Sequence, residues 1–151
     1  MDDSVDKLIK QLKKHEGSVK EKGKHILYKD HLGYETIGYG RLISPEIGGG
    51  LSDHEAEYLL MNDLDTYMTA AKTYDWYAGL NDARKAVIVN MLFNMGQTNF
   101  NKFLKMKQAL DVGDFPEAAK QMLDSKWAKQ VKGRSAELSK QMETGNGNNN
   151  G

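Results

Sequence analysis

The chain has no cysteine, only two prolines, and no excess of charge of either sign. Without cysteine there is no disulfide framework, no thiolate metal site and no cysteine nucleophile, which fits folding in a reducing cytosol. The 21 basic and 21 acidic residues sum to a formal net charge of 0. That balance argues against a dedicated nucleic-acid binder, which carries a clear basic excess. No apolar run approaches the roughly 18 residues needed to span a bilayer, so stable membrane insertion is not expected. The N-terminal stretch from Met1 to Asp6 is acidic and polar and lacks the basic and apolar regions of a secretory signal. The protein is therefore expected in the cytoplasm of the cell that makes it. Lys7, Lys10, Lys13, Lys14, Lys20, Lys22 and Lys24 are read as a solvated helix face, with an anionic polymer as the alternative partner.

What is present is mostly helical periodicity. At 151 residues, the length suits one domain with its own core. Val5, Leu8, Ile9 and Leu12 recur at helical spacing behind Asp3, read as the N-cap, and Gly17 can end that helix. Glu16 then stands at the end of an apolar stripe. The negative end of the helix dipole and partial burial would both disfavour its charged form.

Residues 25–43 are rich in Tyr, Ile, Leu and Gly and read as short strands joined by tight turns. Residues 44–51, with Pro45 and three successive glycines, read as a loop. Beyond them Ser52-Asp53-His54-Glu55 is a capping box, and Asn81 can cap a central helix that is apolar almost all round. That helix should end at Gly96, with another from about Asn99 to Leu110. Asp114 and Pro116 signal a further helix start, from which Ala118, Ala119, Met122 and Leu123 point inward. A last helix is expected from Arg134 to Thr144. Asn146 to Gly151 contain only Asn and Gly, composition typical of disorder. The plan is α+β: an N-terminal helix and a small antiparallel sheet packed against a mainly helical lobe, over residues 1–145, with a cleft between.

Three residues near one another in sequence suggest chemistry. Glu16 ends the first helix, and Asp30 and Thr36 lie in the strand segment that follows. Two carboxyls across a cleft, one protonated and one ionised, are what glycosidic bond cleavage needs. Glu16 on its apolar stripe suits the acid. Asp30, in a polar turn beside Lys29 and His31, suits the ionised partner, and the Thr36 hydroxyl can hold a water. Spacing alone is also met by a solvated helix-end glutamate and an ordinary turn aspartate.

A longer pattern narrows this. His15-Glu16-Gly17, Tyr28-Lys29-Asp30 and Gly33-Tyr34-Glu35-Thr36-Ile37-Gly38-Tyr39-Gly40 closely resemble the phage-type lysozymes, glycoside hydrolase family 24. Residues 90–96, Ser125-Lys126-Trp127 and Gly133-Arg134 resemble later elements of that family in the same order. The resemblance, over roughly residues 5–145, implies the lysozyme-like fold. It also implies hydrolysis, with inversion, of the β-1,4 bond between N-acetylmuramic acid and N-acetylglucosamine in bacterial peptidoglycan. Glu16 would be the general acid, with Asp30 and Thr36 positioning the attacking water. Leu42, Phe93 and Asn94 match positions that line the saccharide groove, and Arg134 matches an arginine that holds the acid. Core packing is the plainer reading of Leu42, and a surface arginine at a helix start the plainer reading of Arg134. Trp127 is read as core. No metal and no organic cofactor are implied, and a monomer is assumed.

The sequence departs from the family in three places. More residues separate Glu16 from Asp30 than the family usually has, so a longer first turn through residues 18–24 is expected. Arg41 stands where a histidine is common, so a histidine-based ion pair is not carried over. The Asn/Gly run replaces a final aromatic segment. The leading function is a free endolysin held in the host cytoplasm until a holin-type permeabiliser gives it access to the wall. The alternatives are a virion-associated tail lysozyme used in entry and a catalytically inactive peptidoglycan-binding module.

Overall fold

The computed structural model describes residues 2–147, which form two compact units dividing between Tyr58 and Leu59. The last part of the expected disordered tail, residues 148–151, lies outside the described residues.

The first unit opens with α1 (Asp3–Glu16). Asp2, not Asp3, caps it, its carboxylate accepting the N–H of Val5 at 3.0 Å. Asp3 is already helical and instead pairs with Lys7 one turn on, at 3.2 Å. Two small antiparallel sheets follow. β1 (Lys20–Glu21) pairs with β2 (Lys24–His25), and β3 (Tyr28–Lys29), β4 (Glu35–Ile37) and β5 (Arg41–Leu42) form a three-stranded meander. The longer connection expected after Glu16 is therefore a hairpin of its own. Its two-residue loop, Lys22-Gly23, has φ of 51° and 78°, the torsions of the primed turn whose twist suits a hairpin. The loop after β5 contains one 3-10 turn, Pro45–Ile47.

No hydrophobic side chain of this unit is fully buried among the described residues; Thr36 and Ser44 are its buried residues. Ile26, Tyr28, Tyr34, Ile37, Leu42 and Ile43 are half-buried. With so little apolar burial, the local hydrogen bonds of turns and strands carry an unusual share of the order here.

The helix α2 (Asp53–Ala71) begins in the first unit and continues into the second. Its capping box forms as the sequence predicts: Ser52 N–H donates to Glu55 Oε1 at 3.0 Å, and Glu55 N–H to Ser52 Oγ at 3.2 Å. The second unit continues with α3 (Asp82–Phe100), α4 (Leu104–Asp111), α5 (Phe115–Leu123), α6 (Lys126–Gln130) and α7 (Lys132–Thr144). Asn81 and Asp114 cap α3 and α5. Val87, Ile88, Met91 and Leu92 of α3 are fully or almost fully buried, and Met106, Met122 and Met142 pack into the same core.

Gly96, at φ 80° and ψ 161°, is non-helical and divides the Asp82–Phe100 segment into two helices, so the central helix ends there as expected. Two expectations are corrected. Asn99 does not start the next helix: its side-chain amide donates back to the Met95 carbonyl at 3.0 Å, which keeps it in the last turn of α3, and α4 begins at Leu104. Leu123 is 50% exposed. Ala119 and Met122, three apart, hold the inward face of α5, and Leu123 lies a further 100° round the helix.

Candidate active site

Glu16 is the last residue of α1. Gly17 closes the helix at φ 65°, its N–H reaching the Lys13 carbonyl at 3.1 Å. The chain turns there, which leaves the Glu16 side chain beside the turn between β4 and β5. Gly40 lies directly under the carboxyl group. A Cβ placed on Gly40 would stand 3.0 Å from Glu16 Oε2 and 3.4 Å from its Cδ. The partial burial expected of Glu16 is not supplied by its own unit. The residue is exposed, and none of α1 is buried. The reason is that Val5, Leu8 and Leu12, the stripe on which that expectation rested, are themselves 38%, 51% and 46% exposed.

Asp30 starts the turn between β3 and β4. Its Oδ1 accepts two backbone N–H groups, from Leu32 and from Tyr34, both at 2.9 Å. The Asp30 N–H donates to the Tyr34 carbonyl, and the Gly33 N–H to the Asp30 carbonyl. The aspartate thus builds its own turn, as Asx residues do. Thr36, 3% exposed, stands on β4, and its hydroxyl donates to the same Tyr34 carbonyl at 2.9 Å. The donor of that hydroxyl is spent, so only its lone pairs remain for a further partner. Across the meander Thr36 faces Tyr28 on one side and Leu42 on the other.

Phe93, Asn94 and Arg134 belong to the second unit. Phe93 and Arg134 line one groove of about 580 Å³, together with Leu60, Leu64, Met68 and Asn90. Phe93 is 39% exposed and meets Tyr67 edge-on at 5.6 Å. Arg134 is exposed, in the first turn of α7. Asn94 accepts the indole N–H of Trp127 at 2.7 Å, which leaves its amide N–H groups to donate elsewhere. Trp127, 6% exposed, is core, as its sequence context implied.

Sequence reasoning missed two contributors. Gly40 is legible as a turn glycine but not as the surface beneath Glu16. Arg41 on β5 forms an ion pair with Glu55 at the start of α2. The Glu55 carboxyl is held below its ordinary value by the Ser52 N–H and then by the Arg41 guanidinium. No group of three or more His, Asp or Glu side chains gathers as metal ligands would among the described residues. Among these residues, too, no helix is long and apolar enough to cross a membrane.

Comparison with known proteins gives concordant matches. The sequence model of the family described as phage lysozyme matches residues 13–143. The pre-baseplate central spike protein Gp5 of Enterobacteria phage T4 is 31% identical over 147 residues, covering 80% of this chain but 25% of the spike protein. A probable T4-type lysozyme of Dictyostelium discoideum is 30% identical, with 79% of this chain and 86% of that protein covered. An endolysin of Acyrthosiphon pisum secondary endosymbiont phage 1 is 29% identical, over 68% of this chain and 67% of its own length. The chain thus spans a quarter of the spike protein and most of the Dictyostelium one.

Proposed function

The chain belongs to the phage lysozyme family, and from that premise we propose that it is a muramidase of the endolysin type. It hydrolyses the β-1,4 bond between N-acetylmuramic acid and N-acetylglucosamine in peptidoglycan. Glu16, protonated, gives its proton to the departing oxygen of N-acetylglucosamine. A water attacks the anomeric carbon of N-acetylmuramic acid from the opposite face, and Asp30 takes up the proton that this water sheds. The bond to oxygen breaks as the new bond forms, and the configuration at that carbon inverts.

The observation that carries the reading is the arrangement around Tyr34. Asp30 Oδ1 is held by two N–H groups, which fix the orientation of the carboxyl, while Oδ2 is left to accept from water. Thr36, with its own proton donated to Tyr34, can only accept. A water that gives one proton towards Asp30 and one towards Thr36 keeps a lone pair for attack. Leu42 is the saccharide contact proposed in the first unit. Phe93, Asn94 and Arg134 are those proposed in the second, with the free Asn94 amide donating to an acetamido carbonyl. The protein works as a monomer, needs no cofactor, and reaches the wall from the cytoplasm through a membrane opened by a holin-type protein.

The test is product analysis. Digested peptidoglycan is reduced with borohydride and examined by mass spectrometry, and fresh digests are read by proton NMR. Muramitol ends and an initial α-anomer support the reading. Glucosaminitol ends, anhydromuramic ends or an initial β-anomer would overturn it.

A second reading is favoured by one match. The similarity to the central spike protein suits a lysozyme carried on the virion and used at entry. Proteomics of purified particles separates the two, since a free endolysin is found in the lysate and not in washed virions.

A further inference from the structure

The hairpin between Glu16 and Asp30 has a contact that the reaction as described does not use. His25, at the end of β2, presents its ring edge-on to Tyr39, with centroids 5.0 Å apart and planes at 70°. Tyr39 is the middle residue of the turn between β4 and β5, flanked by Gly38 and Gly40 at φ of 66° and 86°. The last turn of α1 reaches the same residue, with Lys13 Nζ 5.1 Å from the Tyr39 ring centroid. Three residues further along α1, the Glu16 carboxyl rests over Gly40. A second tie holds the start of the turn, where Tyr28 Oη donates to the Gly38 carbonyl at 3.4 Å.

Among the described residues of its unit the Glu16 carboxyl makes no hydrogen bond or ion pair, and the surface of this turn is the contact it has there. The turn has glycine at both ends, is closed by the Ile37–Arg41 pair of β4 and β5, and takes one long hydrogen bond from Tyr28. Its middle residue, Tyr39, is in contact with both Lys13 and His25. His25 Nδ1 is buried and has no hydrogen-bond partner among the described residues, a cost that polar burial normally avoids.

We propose that the hairpin of residues 20–25 braces the general acid. His25, packed on Tyr39, holds the turn at residues 38–40 in the position against which the Glu16 carboxyl rests. His25 and Tyr39 are positioning residues that act through Gly40. The proposal rests on Glu16 being the acid of a lysozyme. It gives the extra residues of this chain a role that their polar sequence does not announce.

The test is steady-state kinetics on solubilised, uncrosslinked peptidoglycan strands, with circular dichroism as the folding control. His25→Ala is expected to lower kcat roughly tenfold with KM changed by less than about twofold, since a slightly misplaced acid impairs the chemical step more than binding. His25→Phe, which restores the edge contact without a titratable nitrogen, returns kcat to within about twofold of the wild type. Tyr39→Leu reproduces the loss, and adding His25→Ala to it costs little more, because the two act as one unit. His25→Ala with undiminished kcat would overturn the proposal, as would a loss that His25→Phe leaves unrepaired, or one that falls on KM alone. A folded wild type that opens no glycosidic bond would instead overturn the lysozyme reading, and the brace with it.

Discussion

Asp30 and Thr36 are joined through the main chain of Tyr34, whose N–H donates to the aspartate and whose carbonyl accepts from the threonine. One residue therefore sets the spacing of the two groups assigned to the attacking water.

The first prediction separates charge from geometry at Asp30. Asparagine keeps the Oδ1 that accepts from Leu32 and Tyr34, so the turn survives while the base is lost. Asp30→Asn should reduce kcat by about 100-fold or more at nearly unchanged Tm. Asp30→Ala should lose activity and, in addition, about 1–3 kcal/mol of stability, because two N–H groups lose their acceptor. Turnover on peptidoglycan and urea unfolding of both variants distinguish the two effects. A fully active Asp30→Asn would remove the aspartate from the reaction.

Thr36→Val tests the partner group. It keeps the shape but strips the hydroxyl; the Tyr34 carbonyl still accepts the Asp30 N–H, so the cost is that of one hydrogen bond, about 0.5–1.5 kcal/mol. Thr36→Ser keeps the donor, and it should retain most activity while Thr36→Val loses it. Equal activity in the two variants would exclude a role for the hydroxyl.

In the second unit, Arg84 is predicted to matter for stability alone. Its Nε donates to the Met142 carbonyl at 2.7 Å and its Nη2 to the Glu143 carbonyl at 2.9 Å. The same guanidinium lies 3.6 Å from the Phe115 ring centroid. It thereby closes the end of α7 against α3 and α5. Arg84→Ala should cost about 2–4 kcal/mol, and Arg84→Lys should recover little, since a lysine cannot reproduce the planar fork. Denaturant unfolding measures both, and a lysine variant as stable as the wild type would refute the clasp.

The Arg41–Glu55 pair predicts a pH dependence. The folded Glu55 carboxyl lies below its ordinary value of 4.5, chiefly through the Ser52 N–H and then through Arg41. A depressed folded value means that the stabilisation is present above the unfolded value and disappears as pH falls through the folded one. The Tm difference between wild type and Glu55→Gln should thus hold near neutrality and shrink as pH drops below about 4.5. A difference independent of pH would show that the pair contributes nothing by charge.

How far the sequence foretold these features depended on how local their causes are. The caps of α2, α3 and α5 were readable because a cap is decided within four residues. The central helix α3 was readable because Val87, Ile88, Met91 and Leu92 leave it apolar almost all round. The motif around Asp30 and Thr36 was readable because the whole turn is built by neighbours in sequence. The hairpin of residues 20–25 was not, since Lys22-Gly23 lacks the usual Asn-Gly signal and the strands around it are polar. The seat of Glu16 on Gly40 was hidden for another reason. It depends on a helix end and a turn 24 residues apart meeting in space. The burial expected of Glu16 was an inference from the α1 stripe, and that stripe is exposed.

The central claim is that Glu16 donates the proton that releases the leaving sugar. Its most direct test is the rate at which new reducing ends appear in purified peptidoglycan treated with wild type or with Glu16→Gln, both shown to be folded. The account predicts steady release by the wild type and a loss of about 100-fold or more for Glu16→Gln, because the amide keeps the shape of the side chain over Gly40 and has no acidic proton to give. Reducing ends released at the same rate by both proteins would contradict it.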